Sequence, residues 1–366
     1  MAPDASPWTP LLNPEQWRQL AQKRPRNKKG VTYQEAAVRY GSGDILQWHF
    51  NNGIPFEVTE EVVEAAAENE ESGKDILALL LDKRGAEIQI TEKVIKAAAG
   101  NSWSGKEILA LLLDKRGAEI QVTEEVIKAA AKNKESGEEI LALLLDKRGA
   151  EIPITEEVVK AVVRSFDQTI FRRLLDKRGA KVQITEEVIK AAARNSWSGK
   201  EILALLLDKR GAEIPITGEV IKAAAGNSRS GKEILALLLD KRGAEIPITG
   251  EVIEAAARNS RSGKEILALL LDKRGAEIPI TEEVIKAAAG NSRSGKEILA
   301  LLLDKRGAEI QITEGIVRAA AETGACARVV GLLMKTRKRD TIAAITDRVC
   351  FAAASSGQLD SLHYLC

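Results

Sequence analysis

A glycine-rich motif that could bind phosphate recurs three times. Gly226–Lys232 reads Gly-Asn-Ser-Arg-Ser-Gly-Lys, and matching copies span Gly100–Lys106 and Gly290–Lys296. These copies satisfy the first seven positions of a nucleotide-binding P-loop, whose backbone amides cradle the phosphates. The eighth position should be Ser or Thr for magnesium, but it is an acidic residue in every copy: Glu107, Glu233 and Glu297. The motif also follows an expected helix, whereas a P-loop follows a strand. We therefore predict that it joins two helices and binds no nucleotide.

Side chains suited to metal binding or nucleophilic catalysis are few. The chain has three cysteines, Cys326, Cys350 and Cys366, and two histidines, His49 and His363. The spacings of 24 and 13 residues from Cys326 to Cys350 and on to His363 match no zinc pattern. Small buried apolar side chains are the simpler interpretation of the cysteines. We expect no metal, no cofactor, no small-molecule substrate and no enzymatic activity.

Two basic runs could contact nucleic acid or direct nuclear import. Over the whole chain, 54 basic residues nearly balance 53 acidic ones, so no general attraction to nucleic acid follows. A solvated linker and a helix end with its loop are the alternative interpretations, and we favour them. We therefore do not expect nucleic acid as a partner. The runs are Arg18, Lys23, Arg24, Arg26, Lys28 and Lys29, and then Lys335, Arg337, Lys338 and Arg339.

The sequence contains an internal repeat, and this repeat determines which predicted helices and turns carry the residues named above. A threonine opens each copy, and successive threonines are 32 residues apart, except for one interval of 30 residues between Thr155 and Thr185. Weaker copies flank the array, at Thr32–Gly53 and Thr346–Cys366, which gives eleven units. Cys366 falls inside an expected second helix, so we expect the last unit to be incomplete. The opening threonines are Thr59, Thr91, Thr123, Thr155, Thr185, Thr217, Thr249, Thr281 and Thr313.

Each unit predicts two helices. In the copy that begins at Thr281, the threonine is a favourable N-cap, and Glu282 and Glu283 place negative charge in the first helical turn. A polar turn leads to a second helix, predicted over Lys296–Arg306. Its centre, Ile298–Leu303, is apolar on every side, so we predict that this helix is buried nearly all round.

The segment after the second helix should return the chain to the next unit. Gly307 could adopt the left-handed conformation that ends many helices, and we expect Ala308–Ile312 to be extended. A unit of this size is too small to fold alone. Stacking on neighbouring copies would bury its apolar faces. The fold class predicted is therefore all-α, an α-solenoid of stacked helix-turn-helix repeats.

The array has four predicted parts. Residues 1–31 form an N-terminal segment with a short capping helix, opened by Asn13–Gln16 and anchored by Trp8 or Trp17. Residues 32–58 are an atypical N-terminal repeat, 59–312 are eight near-identical repeats, and 313–366 are divergent C-terminal repeats. Met1–Pro14 lacks the features of a secretory signal, and no stretch is long and apolar enough to span a membrane. We expect a cytoplasmic monomer, with a nuclear location as the alternative.

The unit resembles an ankyrin repeat. A Thr cap, paired alanines, a Gly-containing turn, a Leu-Leu pair and a following Gly-Ala carry this resemblance, notably at Leu302–Glu309 and Ala353–Leu362. It covers nearly the whole chain from Thr32 onward. The sequence departs from the ankyrin pattern in opening with Thr-Glu-Glu-Val and in replacing the long finger by a short segment. Near-identical units of this kind also resemble the recognition arrays of fungal nucleotide-binding immune-type receptors. Both resemblances imply a non-catalytic scaffold that binds proteins.

One position varies within an otherwise nearly constant turn. Twelve residues after the opening threonine, the side chain is acidic, aromatic or basic, so it must face water. Trp and Arg are enriched in interface hot spots, and we predict that these residues contact a partner protein. Variation of an exposed turn without functional consequence is the alternative. We call this set the variable turn residues: Glu71, Trp103, Glu135, Trp197, Arg229, Arg261 and Arg293.

A second, weaker set and two other functions complete the prediction. The weaker set ends each first helix and comprises Glu68, Gly100, Lys132, Arg194, Gly226, Arg258 and Gly290. The alternative functions are a nuclear or nucleic-acid-associated factor that uses the basic runs, and a structural spacer within a larger assembly.

Overall fold

The computed structural model describes residues 33–53, 55–211, 214–323 and 325–357. Within these ranges the regular elements are helical and no strand is present, which confirms the predicted all-α class. The chain divides into two compact units, Met1–Val182 and Gln183–Cys366. The expected capping helix at Asn13–Gln16, with Trp8 and Trp17, lies outside the described residues, as does Cys366.

The first unit stacks helical pairs in the way that an α-solenoid does. First helices contact the first helices of adjacent repeats, and second helices contact second helices, so two layers form. The helices are α1 (Tyr33–Tyr40), α2 (Gly43–Asn51), α3 (Glu60–Glu68), α4 (Gly73–Arg84), α5 (Glu92–Gly100), α6 (Gly105–Arg116), α7 (Glu124–Lys132), α8 (Gly137–Arg148), α9 (Glu156–Ser165) and α10 (Gln168–Arg178).

The second unit repeats this arrangement and departs from it only near its end. There, α21 stands directly after a second helix and contacts it, while α22 contacts α19 in the layer of first helices. The helices are α11 (Glu186–Arg194), α12 (Gly199–Arg210), α13 (Gly218–Gly226), α14 (Gly231–Arg242), α15 (Gly250–Arg258), α16 (Gly263–Arg274), α17 (Glu282–Ala289), α18 (Gly295–Arg306), α19 (Glu314–Ala321), α20 (Cys326–Thr336), α21 (Lys338–Ala344) and α22 (Asp347–Ser355).

The first helices begin where the threonines predict. The Thr281 hydroxyl oxygen accepts a hydrogen bond from the backbone N–H of Val284 at 3.4 Å, which satisfies one of the free amides at the start of α17. The buried stripe of α17 is Val284, Ile285, Ala288 and Ala289. Small alanines on this stripe allow neighbouring first helices to approach closely.

The second helix α18 is buried on one side and not all round, whereas α12 is buried nearly all round, with Leu203, Leu205, Leu206 and Leu207 all buried. In α18, Ile298, Leu299 and Leu302 are fully buried, but Ala300, Leu301 and Leu303 are only half-buried. The prediction of burial on every side was therefore wrong for half of this segment. The reason is that the helix is covered by the layer of first helices and by second helices of neighbouring repeats, and its remaining side faces solvent.

The glycine that follows α18 does not end the helix in the predicted left-handed conformation. Gly307 is right-handed, with φ −59° and ψ −28°, so the left-handed prediction was wrong. The chain instead continues into a single 3-10 turn, Gly307–Glu309, and becomes extended at Ile310. At the start of the same helix, a Cβ on Gly295 would lie 2.5 Å from the Ala288 carbonyl oxygen. Only glycine permits this close approach between the two helices of a repeat.

Arginines at the ends of second helices bind the repeat before them. Arg116 donates to the Gly85 carbonyl oxygen at 2.8 Å, and Arg242 donates to the Gly211 carbonyl oxygen at 2.8 Å. Each of these arginines also pairs with a glutamate three residues later, as Arg242 does with Glu245. The Gly85 and Gly211 carbonyls, which already accept a backbone N–H from their own repeats, thus gain a second donor from the next repeat. We call the residues that do this clamp arginines.

No helix in the part of the chain described by the structure is both long and apolar enough to cross a membrane.

The one-sided burial of α18 predicts different effects for two neighbouring leucines. Leu302→Ala should lower the free energy of local unfolding by about 3 kcal/mol, because it leaves a cavity at a fully buried site. Leu301→Ala should lower it by about 1 kcal/mol or less, because that side chain already meets solvent. Amide hydrogen exchange across α18 measures both values, and equal effects would contradict the layered arrangement.

Candidate interaction surface at the turns between helices

The variable turn residues are exposed, as the sequence predicted. Their side chains lie on the turns that join first and second helices, and Trp103 and Trp197 are 75% and 78% exposed. Two tryptophans held this far out of the core are unusual in a chain with 4% aromatic residues. The first unit carries Glu71, Trp103 and Glu135 on these turns, and the second unit carries Trp197, Arg229, Arg261 and Arg293.

A buried asparagine forms hydrogen bonds that fix each of these turns, a role that the sequence alone did not predict. The Asn101 side-chain amide donates to the carbonyl oxygens of Ala67 at 3.0 Å and Asn69 at 2.9 Å, both in the preceding repeat. Its side-chain oxygen accepts the backbone N–H groups of Trp103 at 3.1 Å and Ser104 at 3.0 Å. One amide group therefore fixes the turn that carries Trp103 and bonds it to the repeat before.

The same arrangement recurs in the second unit. Asn259 donates to the carbonyl oxygens of Ala225 at 2.9 Å and Asn227 at 3.1 Å, and it accepts the Arg261 backbone N–H at 3.2 Å. The backbone of Arg261 is thus held in place while its side chain stays in solvent. We call the set the asparagine ladder; its buried members are Asn69, Asn101, Asn133, Asn195, Asn227, Asn259 and Asn291.

Serines bond successive turns of the second unit directly. The Ser262 hydroxyl donates to the Ser228 carbonyl oxygen at 3.1 Å, and the Ser294 hydroxyl donates to the Ser260 carbonyl oxygen at 2.8 Å. These serines adjoin Arg229, Arg261 and Arg293 in sequence. The three arginines therefore stand on turns that touch in series along one edge of this unit.

The aromatic and basic side chains of neighbouring turns also interact. The Arg229 guanidinium lies 3.5 Å from the centre of the Trp197 ring. At an exposed site such a cation–π contact contributes about 0.5–1 kcal/mol. This contact links the turn that carries Arg229 to the preceding turn, which carries Trp197.

The P-loop-like motif joins two helices, as predicted. Gly226 ends α13, and Gly231 begins α14. Asn227 belongs to the asparagine ladder, and a Cβ on Gly231 would lie 2.5 Å from the Ala224 carbonyl oxygen. The glycine and asparagine of this motif thus have roles in packing, and Lys232 is exposed.

The remaining candidate residues lie apart from the turns. Cys326 is buried in α20, and Cys350 is half-buried in α22. His363 lies outside the described residues, as does the first basic run, Arg18–Lys29. Within the described ranges no cluster of three or more His, Cys, Asp or Glu residues could hold a metal ion.

The second basic run spans the end of α20 and the start of α21. The predicted helix end is confirmed, but the predicted loop is wrong for Lys338 and Arg339, which lie in α21. In this run, Arg337 behaves as a clamp arginine, because the guanidinium donates to the Gly307 carbonyl oxygen. One of the four basic side chains in this run is therefore engaged in repeat packing.

The asparagine ladder is interrupted in the repeat of 30 residues. Ser165 stands ten residues after Thr155, where seven other repeats have the asparagine, and Asp167 caps α10, accepting the backbone N–H groups of Thr169 at 2.7 Å and Ile170 at 3.1 Å. A carboxylate accepts hydrogen bonds in this way but has no N–H to donate to a preceding repeat. Asp167 occupies the variable position, twelve residues after Thr155, but its side chain is used as this helix cap.

Asp167 faces a second carboxyl group from the repeat before it. Loss of hydration raises the pKa of Glu138, and the charge of Asp167 and a hydrogen bond to it raise that pKa further. At the corresponding position most other repeats carry lysine, such as Lys106 and Lys232. The interrupted repeat therefore brings together two acidic groups that repel each other when both are ionised.

Removing the donor of the asparagine ladder should destabilise the array locally. Asn259→Asp keeps the shape but removes the N–H donors that Asn259 gives to the Ala225 and Asn227 carbonyls, and it buries a charge. We expect a loss of about 3 kcal/mol in local stability. Hydrogen exchange at the Arg261 and Ser262 amides should report it. Ser260→Ala is the matched control on the same turn, and an equal loss there would contradict the role of Asn259.

The carboxyl pair predicts a stability that falls as pH rises. Because the pKa of Glu138 is raised in the folded chain, its contribution is full below the ordinary glutamate pKa of 4.5 and is lost as pH rises through the raised value. Glu138→Gln should therefore be more stable than the parent at pH 7 and should gain nothing at pH 4. Denaturant unfolding at both pH values measures this. Equal stability gains at pH 4 and at pH 7 would contradict this origin.

Comparison with known proteins places the repeats in one family. No curated protein matches the chain. The family described as a domain of unknown function, DUF7104, matches nine segments: residues 53–76, 79–108, 111–140, 143–165, 174–202, 205–234, 237–266, 269–298 and 301–328. The unmatched residues 166–173 contain Asp167, so the interrupted turn is also where the family pattern fails. Since these segments cover more than half of the sequence, the chain belongs to the DUF7104 family, here as a tandem array of helical repeats.

Proposed function

We propose that the chain is a non-catalytic scaffold that binds a partner protein through its variable turn residues, and that it acts as a cytoplasmic monomer. The observation that carries this proposal is the contrast within each turn. The backbone is fixed by a buried asparagine, as at Asn101 and Asn259, while the side chain two residues later is exposed and differs between repeats. Such a turn can present different chemistry without altering its packing.

Two further features support a binding role. The Trp103 and Trp197 rings are large, rigid and exposed, and tryptophan is among the residue types that contribute most at protein interfaces. The helix pair also resembles the ankyrin repeat, whose arrays act as protein-binding scaffolds. Because the Gly and Asn residues of the P-loop-like motif have packing roles, they support a scaffold over a nucleotide-dependent enzyme.

The test is the paired substitution Trp103→Ser and Trp197→Ser. Partners captured from a cell lysate by the parent chain should be identified, purified and titrated against both chains. We expect affinity to fall about 30-fold for each tryptophan that contacts the partner, since a hot-spot side chain contributes about 2 kcal/mol. Stability should change by no more than about 1 kcal/mol, because neither ring is packed in the core and only the contact of Trp197 with Arg229 is lost.

The matched control is Lys115→Ser with Lys209→Ser, two exposed residues of second helices in the same repeats. This pair should leave affinity unchanged. Equal binding by the parent and the tryptophan variant would remove the turns as the binding surface. Failure of the parent chain to retain any specific partner would favour a structural spacer instead.

A further inference from the structure

We propose that one edge of the second unit binds an acidic peptide in extended conformation, with carboxylate side chains at every third position. The binding groups are Arg229, Arg261 and Arg293, which we call the arginine row. This inference rests on the proposed function and names the chemistry of the partner for this part of the chain.

The arginine row has no acidic partner within the described part of the chain. Elsewhere in the same repeats, arginines pair with glutamate, as Arg242 does with Glu245 and Arg258 does with Glu254. No such ion pair forms at Arg261 or Arg293, and the Arg229 guanidinium lies on the Trp197 ring. Since the planar guanidinium matches a carboxylate with two parallel hydrogen bonds, this row offers donors suited to carboxylates.

The spacing of the row fits an extended peptide. Its turns touch in series through the serine bonds from Ser262 to Ser228 and from Ser294 to Ser260. Packed helices lie about 8–10 Å apart, so successive arginines should be separated by about that distance. A polyproline II segment presents every third side chain on one face and advances about 9 Å in doing so. One acidic side chain per repeat can therefore meet one arginine.

The charges around the row favour a peptide over a nucleic acid. Four residues after each arginine stands an exposed glutamate: Glu233, Glu265 and Glu297. A strand with a phosphate on every nucleotide would bring negative charge close to these glutamates. A peptide that is acidic only at every third position can place neutral residues beside them. One of the two faces of the Trp197 ring on which a base could stack is covered by Arg229.

The first unit provides an internal contrast. Glu71 and Glu135 occupy the positions that arginine occupies in the second unit, on turns with the same asparagine bonds. An acidic peptide would be repelled there. The second unit alone therefore carries the proposed site.

The experiment uses the full chain and a fluorescein-labelled synthetic peptide of proline and serine with glutamate at every third position. Fluorescence anisotropy at low salt should detect binding. The triple variant Arg229→Gln, Arg261→Gln and Arg293→Gln should weaken it about ten-fold, since three exposed ion pairs are lost. The matched control, Lys209→Gln, Lys241→Gln and Lys273→Gln, removes the same charge from exposed positions of second helices and should retain binding. Circular dichroism should show that both variants remain folded.

A second peptide of the same composition, with its glutamates adjacent, tests the spacing and should bind several-fold more weakly. Equal binding of the two peptides would overturn the proposal, as would an equal loss in the lysine variant. Tighter arginine-dependent binding of a labelled single-stranded oligonucleotide would also overturn it, in favour of nucleic acid. Absence of peptide binding in a chain whose partner capture still depends on the tryptophans would overturn this inference and leave the proposed function standing. If neither peptide binding nor partner capture depends on the variable turn residues, both this inference and the proposed function are wrong.

Discussion

The asparagine side chain at each turn is the interaction on which the described repeats depend. A primary amide has donors on one atom and an acceptor on the other, so Asn101 can bond the carbonyls of one repeat and the backbone amides of the next at the same time. A carboxylate lacks the donors and a lysine lacks the acceptor. Because the group is buried, each of these bonds would be costly to leave unmade. The turn is thereby bonded to its own repeat and to the preceding one.

The clamp arginines likewise bond each repeat to the preceding one, at the C-terminal ends of the second helices. Arg242 reaches the Gly211 carbonyl as Asn259 reaches the Ala225 carbonyl, so adjacent repeats are bonded at both ends of the helical pair. Between these bonds lie the apolar contacts of alanine, isoleucine and leucine. Stability then accumulates from nearest neighbours, as in other repeat arrays. In seven repeats the asparagine is constant, whereas the exposed side chain two residues later differs between repeats.

Sequence reasoning recovered the repeat, the helix starts and the exposed turns because each has a local signature. The threonine caps and the swap between Glu, Trp and Arg at one position needed no knowledge of the neighbouring repeat. The sequence did not predict features that depend on contacts with the neighbouring repeat. Ile298–Leu303 looked apolar on every side, yet only the layer arrangement shows which half meets solvent. The Asn291 position looked like a polar turn residue, although its identity in seven repeats was the signal that it is buried and bonded.

The repeat that begins at Thr155 shows what the constant residues control. It has Ser165 in place of the asparagine, it is shorter by two residues, and the Asp167 side chain at its variable position caps α10. Asp167 keeps the half of the bonding that an acceptor can supply, the cap of α10, and cannot supply the half that needs a donor. Loss of the amide and loss of the displayed side chain thus occur together, as expected if the asparagine exists to hold that side chain outward. The turn residues consequently fall into two sets of opposite charge, Glu-Trp-Glu before this repeat and Trp-Arg-Arg-Arg after it. A single partner would need a charge pattern that reverses to match both, whereas separate segments of complementary charge could each bind one set.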